Sequence, residues 1–133
     1  MRVDELMQRD LKTISTDATI ADAVEALAAA HVSALPVIDR FGRAVGVISA
    51  RDVLQAERDR PDPERRERLF EDTLVIEVMQ PWVATIPPEK DIRVAAERML
   101  GLGVQRLFVE DDGALVGVVS MTDIARAVAA ARV

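Results

Sequence analysis

The chain has 133 residues, half of them hydrophobic and only 3% aromatic, with a formal net charge of −6 and no cysteine. That length suits one domain or two very small ones burying roughly two thirds of the unfolded surface; without cysteine there are neither disulfides nor thiolate zinc sites to staple it. The acidic balance argues against nonspecific nucleic-acid binding, the lack of tyrosine argues against base stacking on aromatic platforms, and no apolar run approaches a membrane span or a signal-peptide core, so a soluble cytoplasmic protein is expected.

In chain order, Val3-Asp4-Glu5-Leu6-Met7 is a short amphipathic lead-in, and Thr13-Ile14 marks a short strand. Ile20, Ala23, Val24 and Leu27 recur at helical spacing and predict a helix that stops at the turn around His31. His31 is the one histidine in the sequence; with no second histidine to work with, it reads as a loop or cap residue. Val32-Ser33-Ala34-Leu35-Pro36-Val37-Ile38 is the next strand, turning through Asp39-Arg40-Phe41-Gly42 and returning through Val45-Gly46-Val47-Ile48 as a hairpin. A helix follows from Ala50.

The stretch from Glu57 to Arg68 is densely charged and broken by Pro61 and Pro63. Its arginines alternate with acids of nearly equal number, which favours a solvated helix or turn over a nucleic-acid patch, with Leu69-Phe70 as its anchor. Val75-Ile76-Glu77-Val78-Met79 then echoes the lead-in, and Thr85-Ile86 echoes Thr13-Ile14 at an offset of 72. Pro87-Pro88 closes that strand, Ile92 to Met99 forms the matching helix, and Gly101 and Gly103 are expected to stop it. Val104 to Val109 and Leu115 to Val119 form the second hairpin around Asp111-Asp112-Gly113, one residue shorter than the first, so that the offset falls to 71.

The two copies are most alike at Gly46-Val47-Ile48-Ser49-Ala50-Arg51-Asp52 and Gly117-Val118-Val119-Ser120-Met121-Thr122-Asp123, where a buried strand runs straight into a helix. Ser49 and Ser120 are placed as N-caps, with Asp52 and Asp123 at the capping-box position. Those residues suffice to start two helices. The same geometry also makes an anion site with a carboxylate able to accept two hydrogen bonds from a ribose diol, which a nucleotide would satisfy.

The doubled β-α-β-β-α order resembles a tandem CBS-domain pair, or Bateman module, over nearly the whole chain. The resemblance is carried by Val32 to Asp39 with Gly46 to Asp52, and by Gln105-Arg106-Leu107 with Gly117 to Asp123. The second group is similar to nucleotide-binding repeats of the regulatory gamma subunit of AMP-activated protein kinase. The resemblance implies an α/β (α+β) fold of two CBS repeats packed about a pseudo-twofold axis, sheets inside and helices outside. It places the first repeat with its lead-in at 1–58, the charged linker at 59–72 and the second repeat at 73–133. It also implies clefts between the repeats and a disc-shaped homodimer.

Carried over residue by residue, the stronger cleft would set Asp123 on the ribose and Ser120, Thr122 and Arg106 near the phosphates. Val32, Ser33 and the backbone near Lys12 and Thr13 would flank the base. Arg106 suits phosphate oxygens through its guanidinium fork, with a surface ion pair as its plain alternative. The weaker cleft would use Ser49, Arg51 and Asp52, with Val104 and Gln105 across from them; there Ala34 stands where Arg106 stands in the other repeat. Gln105, which is also counted with the stronger cleft, replaces a histidine of the kinase-subunit motif. Trp82 would pack at an interface or reach a cleft.

The sequence shows no paired nucleophile and base, no His/Asp/Glu metal cluster and no glycine-rich phosphate loop, so a non-enzyme is expected. The leading expectation is a regulatory sensor of an adenine nucleotide (AMP, ADP or ATP) that needs no cofactor, forms a homodimer and signals to an unidentified protein. It would engage neither nucleic acid nor membrane. Sensors of S-adenosylmethionine, NAD(H) or a guanine nucleotide stand behind it. The reading from another class is a dimerisation or interaction module whose Ser and Asp residues only cap helices.

Overall fold

The computed structural model describes residues 1–131. Its elements begin α1 (Val3–Leu6), β1 (Ile14–Ser15), α2 (Ile20–Ala30), β2 (Ala34–Ile38), β3 (Ala44–Ser49) and α3 (Ala50–Arg58). Then α4 (Pro63–Asp72) and α5 (Val75–Val78) lead to β4 (Thr85–Ile86), α6 (Ile92–Leu102), β5 (Arg106–Asp111), β6 (Ala114–Ser120) and α7 (Met121–Ala130). The fold is α+β, and the β-α-β-β-α order occurs twice.

Each repeat has a three-stranded sheet in which the first strand is parallel to the second and the second antiparallel to the third, β1-β2-β3 and β4-β5-β6. Pro36 is tolerated in the middle strand because β1 pairs only with Val37 and Ile38, leaving Pro36 paired on one side with Val47. The shorter second hairpin closes through Asp112 and Gly113, both at positive φ, which matches the twist of the strands they join. In the first hairpin the Asp39 carboxylate accepts hydrogen bonds from the Phe41 and Arg43 amides at 2.9 and 3.0 Å.

The chain divides into two compact units, Lys12–Val83 and Met1–Leu11 with Ala84–Val133. This grouping differs from the sequence division at 1–58, 59–72 and 73–133, because each lead-in packs with the other repeat's sheet. In the Lys12–Val83 unit the buried Val75 of α5 shares a core with Ile20 of α2, Leu35 of β2 and Ile48 of β3. In the other unit Val3 of α1 and Met7 share a core with Ile92 and Met99 of α6, Leu107 of β5 and Val119 of β6. The physical reason is backbone pairing. Gln80 and Val47 exchange amide hydrogen bonds at 2.8 and 3.0 Å, and Gln8 and Val118 do the same at 2.9 and 3.0 Å, so each lead-in is tied to the third strand of its unit.

Local rules account for the helices. Thr19 and Asp22 close a capping box on α2, and His31 ends it in the left-handed region at φ 54°, as a cap residue. Gly103 ends α6 in the same way, whereas Gly101 lies inside that helix rather than stopping it. Asp91 caps the start of α6, and the hydrogen bond from the Arg93 amide holds its carboxyl below the usual range. The charged segment becomes α4, started by Asp62 with Pro63 in the first turn, and its Leu69 is buried against α2 and α3. Arg60 braces it, donating to the Thr73 hydroxyl at 2.6 Å and the Arg65 carbonyl at 2.9 Å.

The glycine at the lead-in crossing is where the fold tolerates no side chain. A Cβ on Gly46 would stand 2.5 Å from the Gln80 carbonyl oxygen and 2.6 Å from the Met79 sulfur, while one on Gly101 would meet nothing within 4 Å. Gly46→Ala is therefore expected to cost about 1–3 kcal/mol through overpacking against backbone. Gly101→Ala should instead stabilise by about 0.5–1 kcal/mol. Urea denaturation measures both, and equal effects would contradict the close approach at Gly46.

Candidate functional site

In the unit formed by Met1–Leu11 and Ala84–Val133, five of the expected site residues come together at the start of α7. Antiparallel register sets Arg106 directly opposite Ser120 at the mouth of the β5–β6 hairpin. The Gln105 carbonyl accepts the Met121 amide at 2.9 Å, which fixes the approach to β5 against the first helical residue. Ser120 caps the helix, its Oγ accepting the Asp123 amide at 3.0 Å, and Thr122 is exposed in the first turn. Three polar side chains and a helix N-terminus thus share one edge, the chemistry that suits an anion with hydroxyl groups nearby.

The Asp123 carboxylate is 29% exposed, and among the described residues its ionic contact is Arg126 at 3.6 Å. It does not return to the Ser120 amide, so the capping box foreseen for this repeat is half made: serine caps, aspartate does not. That leaves a carboxylate at a helix start whose acceptor positions are not taken up by its own backbone.

The Lys12–Val83 unit has the corresponding group with different bonding. Ser49 Oγ accepts the Asp52 amide at 3.1 Å, and Asp52 Oδ2 accepts the Ser49 amide at 2.9 Å, a closed capping box. Asp52 Oδ1 also receives the side-chain amide of Gln80 at 3.4 Å. Ala34 is opposite Ser49 in register, confirming that this repeat has alanine at the position of Arg106. Arg51 lines one outer face of α3 with Leu54, Gln55 and Arg58, about 100° around the helix from Asp52.

The remaining expected residues are placed as follows. Ser33 precedes β2, its carbonyl accepting the Ala50 amide at 3.0 Å, and Val32 beside it is 43% exposed. Lys12 and Thr13 are exposed just before β1. Val104 belongs to the other unit, where its amide donates to the Met99 carbonyl at 3.0 Å. Trp82 is 51% exposed. Sequence reasoning missed Gln80; the signal for it was the repeated pair Met7-Gln8 and Met79-Gln80 at the end of each lead-in. Among the described residues no group of three or more His, Asp or Glu side chains could hold a metal ion, and no helix is long and apolar enough to cross a membrane.

Comparison with protein families matches the CBS domain twice, over residues 3–59 and 75–130. The chain belongs to the CBS-domain family. This CBS chain is similar to the CBS-pair protein CBSX2 of Arabidopsis thaliana, with a TM-score of 0.80 and 26% identity over 98% of this chain and 96% of that one. A structure of CBSX2 in complex with AMP matches at a TM-score of 0.80 and 26% identity, covering 99% and 98%. Among curated proteins, inosine-5′-monophosphate dehydrogenase of Methanocaldococcus jannaschii is 30% identical over 124 residues, 92% of this chain but 23% of that protein. The gamma-3 subunit of 5′-AMP-activated protein kinase of Sus scrofa is 32% identical over 124 residues, 90% of this chain and 24% of that subunit. The CBS chain thus spans about a quarter of the length of these two curated relatives.

The two aspartates make unequal contributions to stability in the absence of ligand. Asp52→Ala opens a closed capping box and is expected to cost about 1 kcal/mol of stability. Asp123→Ala should change stability by less than about 0.5 kcal/mol, since that carboxylate holds only a surface pair. Chemical denaturation of the two variants checks this, and an equal loss would contradict the difference in bonding.

Proposed function

We propose that this CBS pair is a regulatory sensor that binds an adenine nucleotide (AMP, ADP or ATP) and has no catalysis of its own. The observation that carries the reading is the Asp123 carboxylate, which leaves its half of the capping box unmade while Arg106 is paired with Ser120 beside it. A carboxylate suits a ribose diol, and a guanidinium with helix-start amides suits phosphate. The AMP complex of the similar CBSX2 and the likeness to an AMP-activated kinase subunit support an adenosine ligand. Asp123, Ser120, Thr122, Arg106 and Gln105 are assigned to ribose and phosphate at the stronger site, and Val32, Ser33, Lys12 and Thr13 to the base. Asp52, Ser49 and Arg51, with Val104, are assigned to a weaker site. Ligand acts on a protein target by preferring one arrangement of the chain, which is all that coupling requires.

Thermal unfolding against AMP, ADP, ATP, S-adenosylmethionine and NAD(H) tests the reading. A ligand at about 100 times its dissociation constant should add roughly 2.7 kcal/mol. Asp123→Ala is expected to weaken binding at least about tenfold and more than Asp52→Ala does, the loss of charge-assisted bonds to the ribose. A flat panel would favour an interaction module whose serines and aspartates only start helices.

The homodimer is proposed through α6 and α7. These helices leave an apolar groove of about 470 Å³ lined by Met99, Leu100, Met121, Ile124 and Val128 among others, with Leu100 72% exposed. In the other unit the corresponding helices, α2 and α3, are covered by α4 of the same chain, with Leu69 buried there. A second copy of the chain suits the bare groove. Arg93 and Glu97 are exposed one turn apart on α6, and a twofold axis would set their opposite charges against each other reciprocally. Leu100→Glu is expected to raise the dimer dissociation constant by more than about tenfold in sedimentation equilibrium, by burying a charge in an apolar contact. A chain monomeric at high concentration would rule the surface out.

A further inference from the structure

We infer that Gln80 is a built-in competitor for the Asp52 site, and that its side-chain amide makes this the lower-affinity of the two nucleotide sites. The inference rests on the adenosine-binding reading and concerns a residue that the site's expected membership does not include. Both Asp52 oxygens are in use: Oδ2 by the Ser49 amide at 2.9 Å, Oδ1 by Gln80 Nε2 at 3.4 Å. A carboxylate offers about four acceptor positions, and these donors take one on each oxygen, so a ribose diol meets the Gln80 amide as a rival donor at Oδ1.

Gln80 is held where it can compete. Its amide and carbonyl are both bonded to Val47, at 2.8 and 3.0 Å, and its carbonyl lies against the Cα of Gly46, so the backbone under the side chain cannot drift away. The matched residue in the other unit, Gln8, has the same reciprocal backbone bonds, to Val118. There the aspartate's partner is instead Arg126, whose counterpart one repeat earlier is Gln55. Two glutamines at equivalent backbone positions therefore differ in side-chain use, and the difference falls on the acceptor that each repeat offers. The chain accordingly fills the Asp123 site first and the Asp52 site only at higher ligand concentration.

Calorimetric titration with AMP, and then with ATP, tests this in an Asp123→Ala background that isolates the Asp52 site. Adding Gln80→Met, which keeps the length and the backbone bonds but removes the donor, is expected to tighten binding about fivefold, the effect of one competing hydrogen bond. Gln8→Met in the unsubstituted chain should leave binding at the Asp123 site within about twofold. Unchanged or weaker binding on Gln80→Met, with the circular-dichroism spectrum and melting temperature retained, overturns the competitor role. The unsubstituted chain separates the two ways of failing: nucleotide heat there, with no gain from Gln80→Met, removes the competitor alone, while no heat from any chain removes the adenosine reading with it.

Discussion

The structure depends on the crossing of each lead-in over a glycine of the third strand. At both crossings two backbone hydrogen bonds are exchanged, Gln80 with Val47 and Gln8 with Val118. Both are favoured by the absence of a side chain on the strand residue beside them, since a Cβ at Gly46 would stand 2.5 Å from the Gln80 carbonyl oxygen, and one at Gly117 would stand 2.6 Å from the Met7 sulfur and 3.0 Å from the Gln8 carbonyl oxygen. The crossing extends the edge of each sheet, buries Val3 or Val75, and delivers a glutamine to the neighbourhood of the helix start that carries the aspartate. Core, sheet edge and site are thus set by one approach of two backbones.

Much of this architecture was legible because it is written by local rules applied twice. The strand-to-helix junctions at Ser49 and Ser120, the helix end at His31, the one-residue difference between hairpins and the alanine at the Arg106 position all follow from residue type and spacing. What escaped the sequence is nonlocal. Nothing in Val3 to Met7 states that it packs with strands more than a hundred residues later, because its amphipathic pattern suits either sheet equally well. Gly101 misled for a related reason: glycine terminates a helix where the chain must enter the left-handed region, and here that duty falls to Gly103. Gln80 was overlooked because its role depends on a partner 28 positions away, and hydrogen-bond partners of exposed amides leave no periodic trace.

Duplication supplies an internal control that a single domain lacks. The two repeats share strand order and a serine cap at the strand-to-helix junction, so differences at that junction isolate side-chain effects. An arginine faces one serine and an alanine faces the other; one aspartate closes its capping box and the other leaves it open. An aspartate that helps to start its helix contributes to stability, and one that does not is available for other chemistry. The repeats have divided those tasks.

The exchange of lead-ins also bears on how the chain reaches its fold. Lys12–Val83 is continuous in sequence, so all its strands and helices are present once that stretch has been synthesised. The other unit needs Met1–Leu11 to meet partners beginning at Ala84, closing a loop across an entire intervening unit. Met1–Leu11 is therefore made well before its partners, and α1 must wait with its apolar side uncovered until β6 exists to receive it.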